Sequence, residues 1–119
     1  HIVGKQESMK AISIFPDDNV EKKRKEIISS IKDLNQGKGV IILTDMFGGT
    51  PSNLAISVME EEKVEVVAGV NLPMLIKISS LRGECNIKDL IKISQESGRK
   101  YMNVASAFFG ESKNCKKKN

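Results

Sequence analysis

Ten residues, Thr44-Asp45-Met46-Phe47-Gly48-Gly49-Thr50-Pro51-Ser52-Asn53, constrain the fold more than any other stretch. They put a carboxylate and two glycines into one strand-to-helix turn. The preceding run Val40-Ile41-Ile42-Leu43 is short and wholly apolar, the pattern of a parallel strand buried on both faces. Thr50 reads as an N-cap and Pro51 as the first helical residue, where a missing N–H leaves nothing unsatisfied. That register leaves the amides of Ser52 and Asn53 as orphan donors at the positive end of a helix dipole. Gly48 and Gly49 allow a ligand close to the backbone and a positive φ if the turn needs one. Gly48, Gly49, Thr50 and Ser52 thus outline a phosphate-sized cradle, with Asp45 placed to orient whatever carries the phosphate. A plainer reading stands beside it: Asp45 can be a turn-capping acid and no more. The spacing is neither that of a Walker loop nor that of the three-glycine dinucleotide fingerprint.

The rest of the chain keeps the same rhythm. Residues 1–9 read as the end of a helix, with Gly4 as its C-cap. Ala11-Ile12-Ser13-Ile14-Phe15 reads as a short strand closed by Pro16. Asp17 or Asp18 can cap a helix whose apolar residues Val20, Ile27, Ile28, Ile31 and Leu34 share one face, and Gly37 ends it. The helix begun at Pro51 carries Leu54, Ile56, Val58 and Met59. It finishes in the acidic run Glu60-Glu61-Glu62, read as a solvated helix end with no metal implied. A strand follows at 64–70, and Asn71 caps a helix running to about Arg82. A fourth helix covers about 87–97 and is closed by Gly98, and Tyr101–Ala107 is strand-like. This alternation demands an α/β fold with a mostly parallel sheet and helices on both faces. A helix end feeding a first strand normally follows an earlier strand, so the sequence reads as opening inside a strand–helix unit.

Three blocks carry a resemblance: GVIILTDMFGGTPSN at 39–53, VEVVAGVNLPML at 64–75 and SGRKYMNVAS at 97–106. Together they resemble the mannose-family enzyme IIA domain of the phosphoenolpyruvate-dependent sugar phosphotransferase system, over most of the chain and in order. The resemblance implies a three-layer αβα, doubly wound fold, mostly parallel, with an antiparallel C-terminal strand at 101–107 exchanged between the subunits of a homodimer. It implies an enzyme IIA domain over 1–110, N-terminally incomplete, because the family's first strand lies between those matching 11–15 and 40–44. The family's phosphorylated histidine follows that strand. His1, the single histidine here, matches the far end of the first helix, so these residues alone are expected to be inactive.

By the same resemblance, Asp45 accepts a hydrogen bond from Nδ1 of the phosphorylated histidine. This fixes its tautomer and leaves Nε2 as nucleophile. Thr50 sets its hydroxyl beside the phosphoryl oxygens, Phe47 lines the rim, and Asn71 borders the crevice. The implied partners are the phosphocarrier protein HPr and enzyme IIB, with the membrane reached only indirectly through IIC and IID. No cofactor or metal is implied. A regulatory module whose phosphorylation state changes its binding surface, without sugar transport, fits the residues equally. Neighbouring genes for IIB and IIC/IID components discriminate the two. A third reading makes Asp45 itself the phosphoacceptor of a receiver domain, but 101–107 offers no lysine at its carboxyl end for that chemistry.

Composition narrows the alternatives. The 119 residues, 39% hydrophobic and 29% charged, suit one soluble domain, and no apolar stretch approaches the ~20 residues of a membrane span. Four lysines and one glutamate in 111–119 hold all but one unit of the +4 net charge, so the basic balance belongs to a tail read as disordered and solvated. Five aromatic residues without tryptophan make a stacking surface for nucleic acid a poor expectation. Cys85 and Cys115 belong to no ligand cluster, and one histidine gives a zinc site no support. Two isolated cysteines suit a reducing, cytoplasmic setting.

Overall fold

The computed structural model describes residues 1–59 and 63–109. The acidic run 60–62 and the basic tail 111–119 lie outside the described residues. The elements in order are α1 (Val20–Leu34), β1 (Val40–Thr44), α2 (Thr50–Met59), β2 (Val64–Ala68), α3 (Leu72–Leu81), α4 (Ile87–Lys100) and α5 (Ala105–Phe108). β1 and β2 pair in parallel with Val40 opposite Val64 and Thr44 opposite Ala68. Parallel partners need a crossover, and α2 supplies it.

Alternation along the strands builds three layers. Val40 and Ile42 of β1, with Val64 of β2, pack on Ile27 and Ile31 of α1 and on Leu54 and Val58 of α2. Ile41 and Leu43, with Val67, turn the other way onto Met74 and Ile78 of α3 and Leu90 of α4. A strand clothed on both faces must be apolar throughout, which is why Val40–Leu43 shows no polar interruption. The fold is α/β, as the alternation requires, and the carboxyl ends of both strands open onto the Asp45 turn.

Several local expectations are corrected. Residues 1–9 form no helix; a stub of a few residues cannot offset the cost of fixing a first turn. α1 is capped by neither Asp17 nor Asp18 but by Asn19, whose side chain accepts from the Lys22 amide. Asp18 is already engaged, its Oδ2 accepting from the Phe15 amide at 2.7 Å. The helix ends at Leu34 with Asn35 as C-cap, and Gly37, at φ 95°, turns the loop beyond it. Gly98 does not close α4, which continues to Lys100. Its missing side chain serves a close approach, since a Cβ there would lie 3.2 Å from both Asn71 Oδ1 and Met74 Cε.

Two expected strands are absent among the described residues. Ile12 and Ile14 do point inward, half-buried against the α1–α2 core, while Ala11, Ser13 and Phe15 are exposed. The period is that of a strand, but no backbone ladder joins the segment to β1, and a cleft of ≈ 540 Å³ lined by both lies beside them. Tyr101–Ala107 is no strand either. It folds locally, with Ala107 N–H donating to Val104 O at 3.0 Å and Phe109 N–H to Ser106 O at 3.2 Å. Tyr101, Met102, Val104, Phe108 and Phe109 are all exposed, Phe109 at 82%.

Candidate functional site

Asp45 is the first residue past β1, and β2 fixes it from the side. The Gly69 amide donates to Asp45 O at 2.8 Å and the Val70 amide to Thr44 O at 3.0 Å. These bonds tie the Asp45 turn to the chain just past β2, so the turn leaves a rigid base. Gly69 makes this possible with φ 85°, a left-handed conformation that a side chain resists. Neither Gly69 nor Val70 stood out in the sequence, because cross-strand register is not a local signal.

The Asp45 carboxylate is exposed. Its Oδ1 accepts from the Met46 amide at 2.8 Å, and its Oδ2 takes no hydrogen bond among the described residues. An oriented carboxylate with one oxygen facing solvent can accept an N–H from an incoming ring. The turn beyond it reverses through Gly48, at φ 95° with open space where a Cβ would stand. Gly48 is therefore required by the backbone conformation and not by crowding.

The start of α2 differs by one residue from its expected register. Gly49, not Thr50, is the cap: its carbonyl accepts the Asn53 amide at 3.0 Å and the Ser52 hydroxyl at 3.0 Å. Two donors on one carbonyl draw the helix start back a residue. The amide of Asn53 is thereby used within the helix. Those of Thr50 and Ser52 fall in the first turn, where N–H groups have no intrahelical acceptor. The Ser52 side chain is fully buried and contributes at most its amide to a cradle. Thr50 is exposed at the helix tip, and its hydroxyl shares the solvent-facing end of the sheet with Asp45. Phe47 is 56% exposed and stands on the rim, with exposed Met46 beside it and exposed Leu72 at the start of α3. Met46 and Leu72 were not anticipated, since an apolar residue in a turn carries no pattern of its own.

Asn71 serves the scaffold with both of its polar ends. Oδ1 accepts from the Met74 amide at 3.1 Å, capping α3, and Nδ2 donates to Gly98 O of α4 at 2.9 Å. The structure thus brings Asp45, Phe47, Gly48, Gly49 and Thr50 together and ties Asn71 into the α3–α4 joint. Replacing Asn71 with Ala is expected to cost about 1–3 kcal/mol through the lost cap and the stranded Gly98 carbonyl. Asn71→Ser keeps a capping oxygen and loses the cross-helix donor without setting a second acceptor against Gly98 O, so its urea midpoint should fall between those of Ala and wild type. Equal midpoints for all three would refute the joint.

Among the described residues no cluster of histidine, cysteine and acidic side chains could hold a metal, and no helix is long and apolar enough to cross a membrane. The chemistry on offer is anion recognition by a helix N-terminus, next to a carboxylate that can hold a proton-bearing ring.

A family model described as EIIA-man, PTS system fructose IIA component, matches residues 1–95. The chain is 34% identical over 101 residues to the PTS system fructose-specific EIIA component of Bacillus subtilis (strain 168), covering 81% of this chain and 69% of that protein. It is 32% identical over 108 residues to the PTS system mannose-specific EIIAB component of Escherichia coli (strain K12), covering 89% of this chain but only 33% of that longer protein. The crystal structure of a PTS IIA protein associated with the fucose utilization operon of Streptococcus pneumoniae superimposes with a TM-score of 0.62 at 25% identity. That match covers 78% of this chain and 68% of the other.

Proposed function

Since the chain belongs to the EIIA-man family of phosphotransferase-system IIA components, we propose that it provides the receiving half of a phosphoryl-transfer site. A histidine other than His1 takes phosphate from the phosphocarrier protein HPr and passes it to enzyme IIB in the cytoplasm. Asp45 holds Nδ1–H of that ring through its solvent-facing oxygen, so Nε2 carries the lone pair. Nε2 attacks phosphorus, the bond from phosphorus to the carrier side chain breaks, and the phosphoryl group becomes bonded to Nε2. The first-turn amides of α2 and the Thr50 hydroxyl face the phosphoryl oxygens, supplying electrostatic stabilisation without a metal. Phe47 and Met46 shield the labile N–P bond from water.

The observation that carries this reading is the exposed Asp45 carboxylate beside the N-terminus of α2, anchored from β2 by Gly69. The exposed apolar residues of 101–109 support a second element, a homodimer in which a second copy covers that segment. Both parts are tested on a longer protein that carries the histidine, incubated with phosphoenolpyruvate and the general phosphotransferase proteins. The expected product is a dimer by light scattering that carries acid-labile phosphate. Acid-stable phosphate would overturn the histidine chemistry, and a monomer mass would remove the second copy.

A further inference from the structure

A basin of ≈ 620 Å³ opens at the amino ends of β1 and β2, between the loop that enters β1 and the first turns of α4. Its volume falls in the ~300–1,000 Å³ range of small-molecule sites. It lies at the far end of the strands from the Asp45 turn. Val64, the register partner of Val40, lines it, and the strands run about 13 Å from that pair to Thr44 and Ala68. The loop is preformed. Asn35 Oδ1 accepts from the Gly37 amide at 2.9 Å and from the Gly39 amide at 3.3 Å, which holds Lys38 between two tied residues. Gly39 packs so closely on the start of α4 that a Cβ there would lie 2.9 Å from Ile87 Cδ1. Loop and helix therefore meet as fixed walls.

Each wall contributes a cation: Lys38 from the loop, Lys63 from the entry to β2 and Lys88 from α4. None of the three makes an ion pair or a side-chain hydrogen bond among the described residues. Glu65 is the one acid of the described lining, and its Oε1 accepts from the Val66 amide at 3.1 Å. Asp89, next to Lys88, turns its Oδ2 to Asn86 Nδ2 at 3.0 Å. With the tail set aside, the chain carries a single unit of net positive charge. The lysines of this basin are thus a local excess and not a share of a generally basic surface. Like charges around one concavity repel each other and raise the local concentration of anions. The apolar part of the lining is Val64, Ile87 and Ile91, each half-buried.

We propose that the basin binds a small, doubly negative organic anion. Its phosphate or paired carboxylates sit among Lys38, Lys63 and Lys88, and its apolar body covers Val64, Ile87 and Ile91. Three lysines against Glu65 leave the described lining two net positive charges, which a dianion balances and a monoanion does not. A bare inorganic anion would leave the half-buried valine and isoleucines wet, so the occupant carries an apolar body as well. The site is separate from the Asp45 turn and stands whether or not Asp45 serves a histidine.

The test titrates the isotope-labelled 119-residue chain with naphthyl phosphate, a dianion at about pH 8 on an apolar ring. Amide resonances of the protein should shift at 37–39, 63–65 and 87–91 and stay in place at 46–52. Naphthylmethanol, which has the ring without the charge, should bind about tenfold more weakly or worse. So should inorganic phosphate, which has the charge without the ring. Lys38→Gln combined with Lys88→Gln should weaken naphthyl phosphate about tenfold, with an unchanged urea midpoint because both side chains are exposed. Glu65→Gln, which can keep the Val66 bond through its remaining oxygen, should strengthen binding about threefold. Shifts confined to 46–52 would give the anion to the α2 turn and overturn the basin, a result that leaves the phosphoryl-transfer reading standing. The proposal would also fall if no shift appeared at 87–91 at any soluble concentration, if the double variant bound like wild type, or if naphthylmethanol bound equally well.

Discussion

Incubated with phosphoenolpyruvate and the general phosphotransferase proteins, the 119-residue chain is expected to gain no phosphoryl group. His1 is its single histidine and is exposed. The segment following it is tied down at the wrong end of the molecule. Arg82, the C-cap of α3, binds Gln6, Glu7 and Ser8. Asp45 lies at the opposite end of that helix, where Gly69 and Asn71 lead into α3. Ten helical residues separate the two ends by about 15 Å, so His1 would reach the Asp45 turn only with residues 1–5 fully extended toward it. Without a carboxylate on Nδ1 and helix amides around the phosphate, an exposed imidazole offers no better site than any surface histidine. Intact mass before and after incubation checks this. Phosphate on His1 would show that the N-terminal segment can swing to the Asp45 turn, and the assignment of the nucleophile elsewhere would fall.

What the sequence made legible was whatever depends on near neighbours. The apolar run before Asp45 had to be a two-sided strand, and Val40 and Ile42 indeed pack away from Ile41 and Leu43. The Asn71 cap was readable because its acceptor and its donor lie three residues apart. The misreadings each involve a partner far along the chain or a local competitor. Gly98 looked like a helix stop, yet its role is set by Asn71, 27 residues away. Asp18 was a fair cap until the Phe15 amide claimed its carboxylate, which left the role to Asn19. Ile12 and Ile14 alternate correctly, but a strand needs a bonded neighbour, and β1 stands across a cleft. At the site, the position of Asp45 was evident, whereas the Gly69 and Val70 amides that fix it belong to the inter-strand register. Ser52 was placed in the cradle for its orphan amide, which keeps its place in the first turn, while its hydroxyl is buried and donates to Gly49 O.

In a longer protein that bears the histidine, Asp45→Ala is expected to slow phosphoryl transfer by ~10²–10⁴-fold, the range seen when an orienting carboxylate is lost from a histidine pair. Two effects combine. The ring loses the acceptor that keeps its proton on Nδ1, so part of the population presents a protonated Nε2 to phosphorus. The cationic ring formed during transfer also loses its counter-charge. The fold should barely respond, because Asp45 is exposed, its carboxylate accepts one hydrogen bond, from the adjacent Met46 amide, and the Gly69 bond to its backbone carbonyl is untouched. A surface change of this kind stays within about 0.5–1 kcal/mol. Asp45→Asn has a single side-chain oxygen: if it keeps the Met46 bond, its NH2 faces the ring as a donor and favours the wrong tautomer, so its transfer rate should fall about as far as that of Ala. Thr50→Ala, which removes one hydroxyl beside the phosphate and leaves the helix amides, should cost about tenfold or less. Rates are read by rapid quench from phosphorylated HPr, with urea midpoints measured on the same samples. Unchanged transfer in Asp45→Ala would reduce the residue to a turn cap, and a loss that tracks the unfolding midpoint would return it to the scaffold.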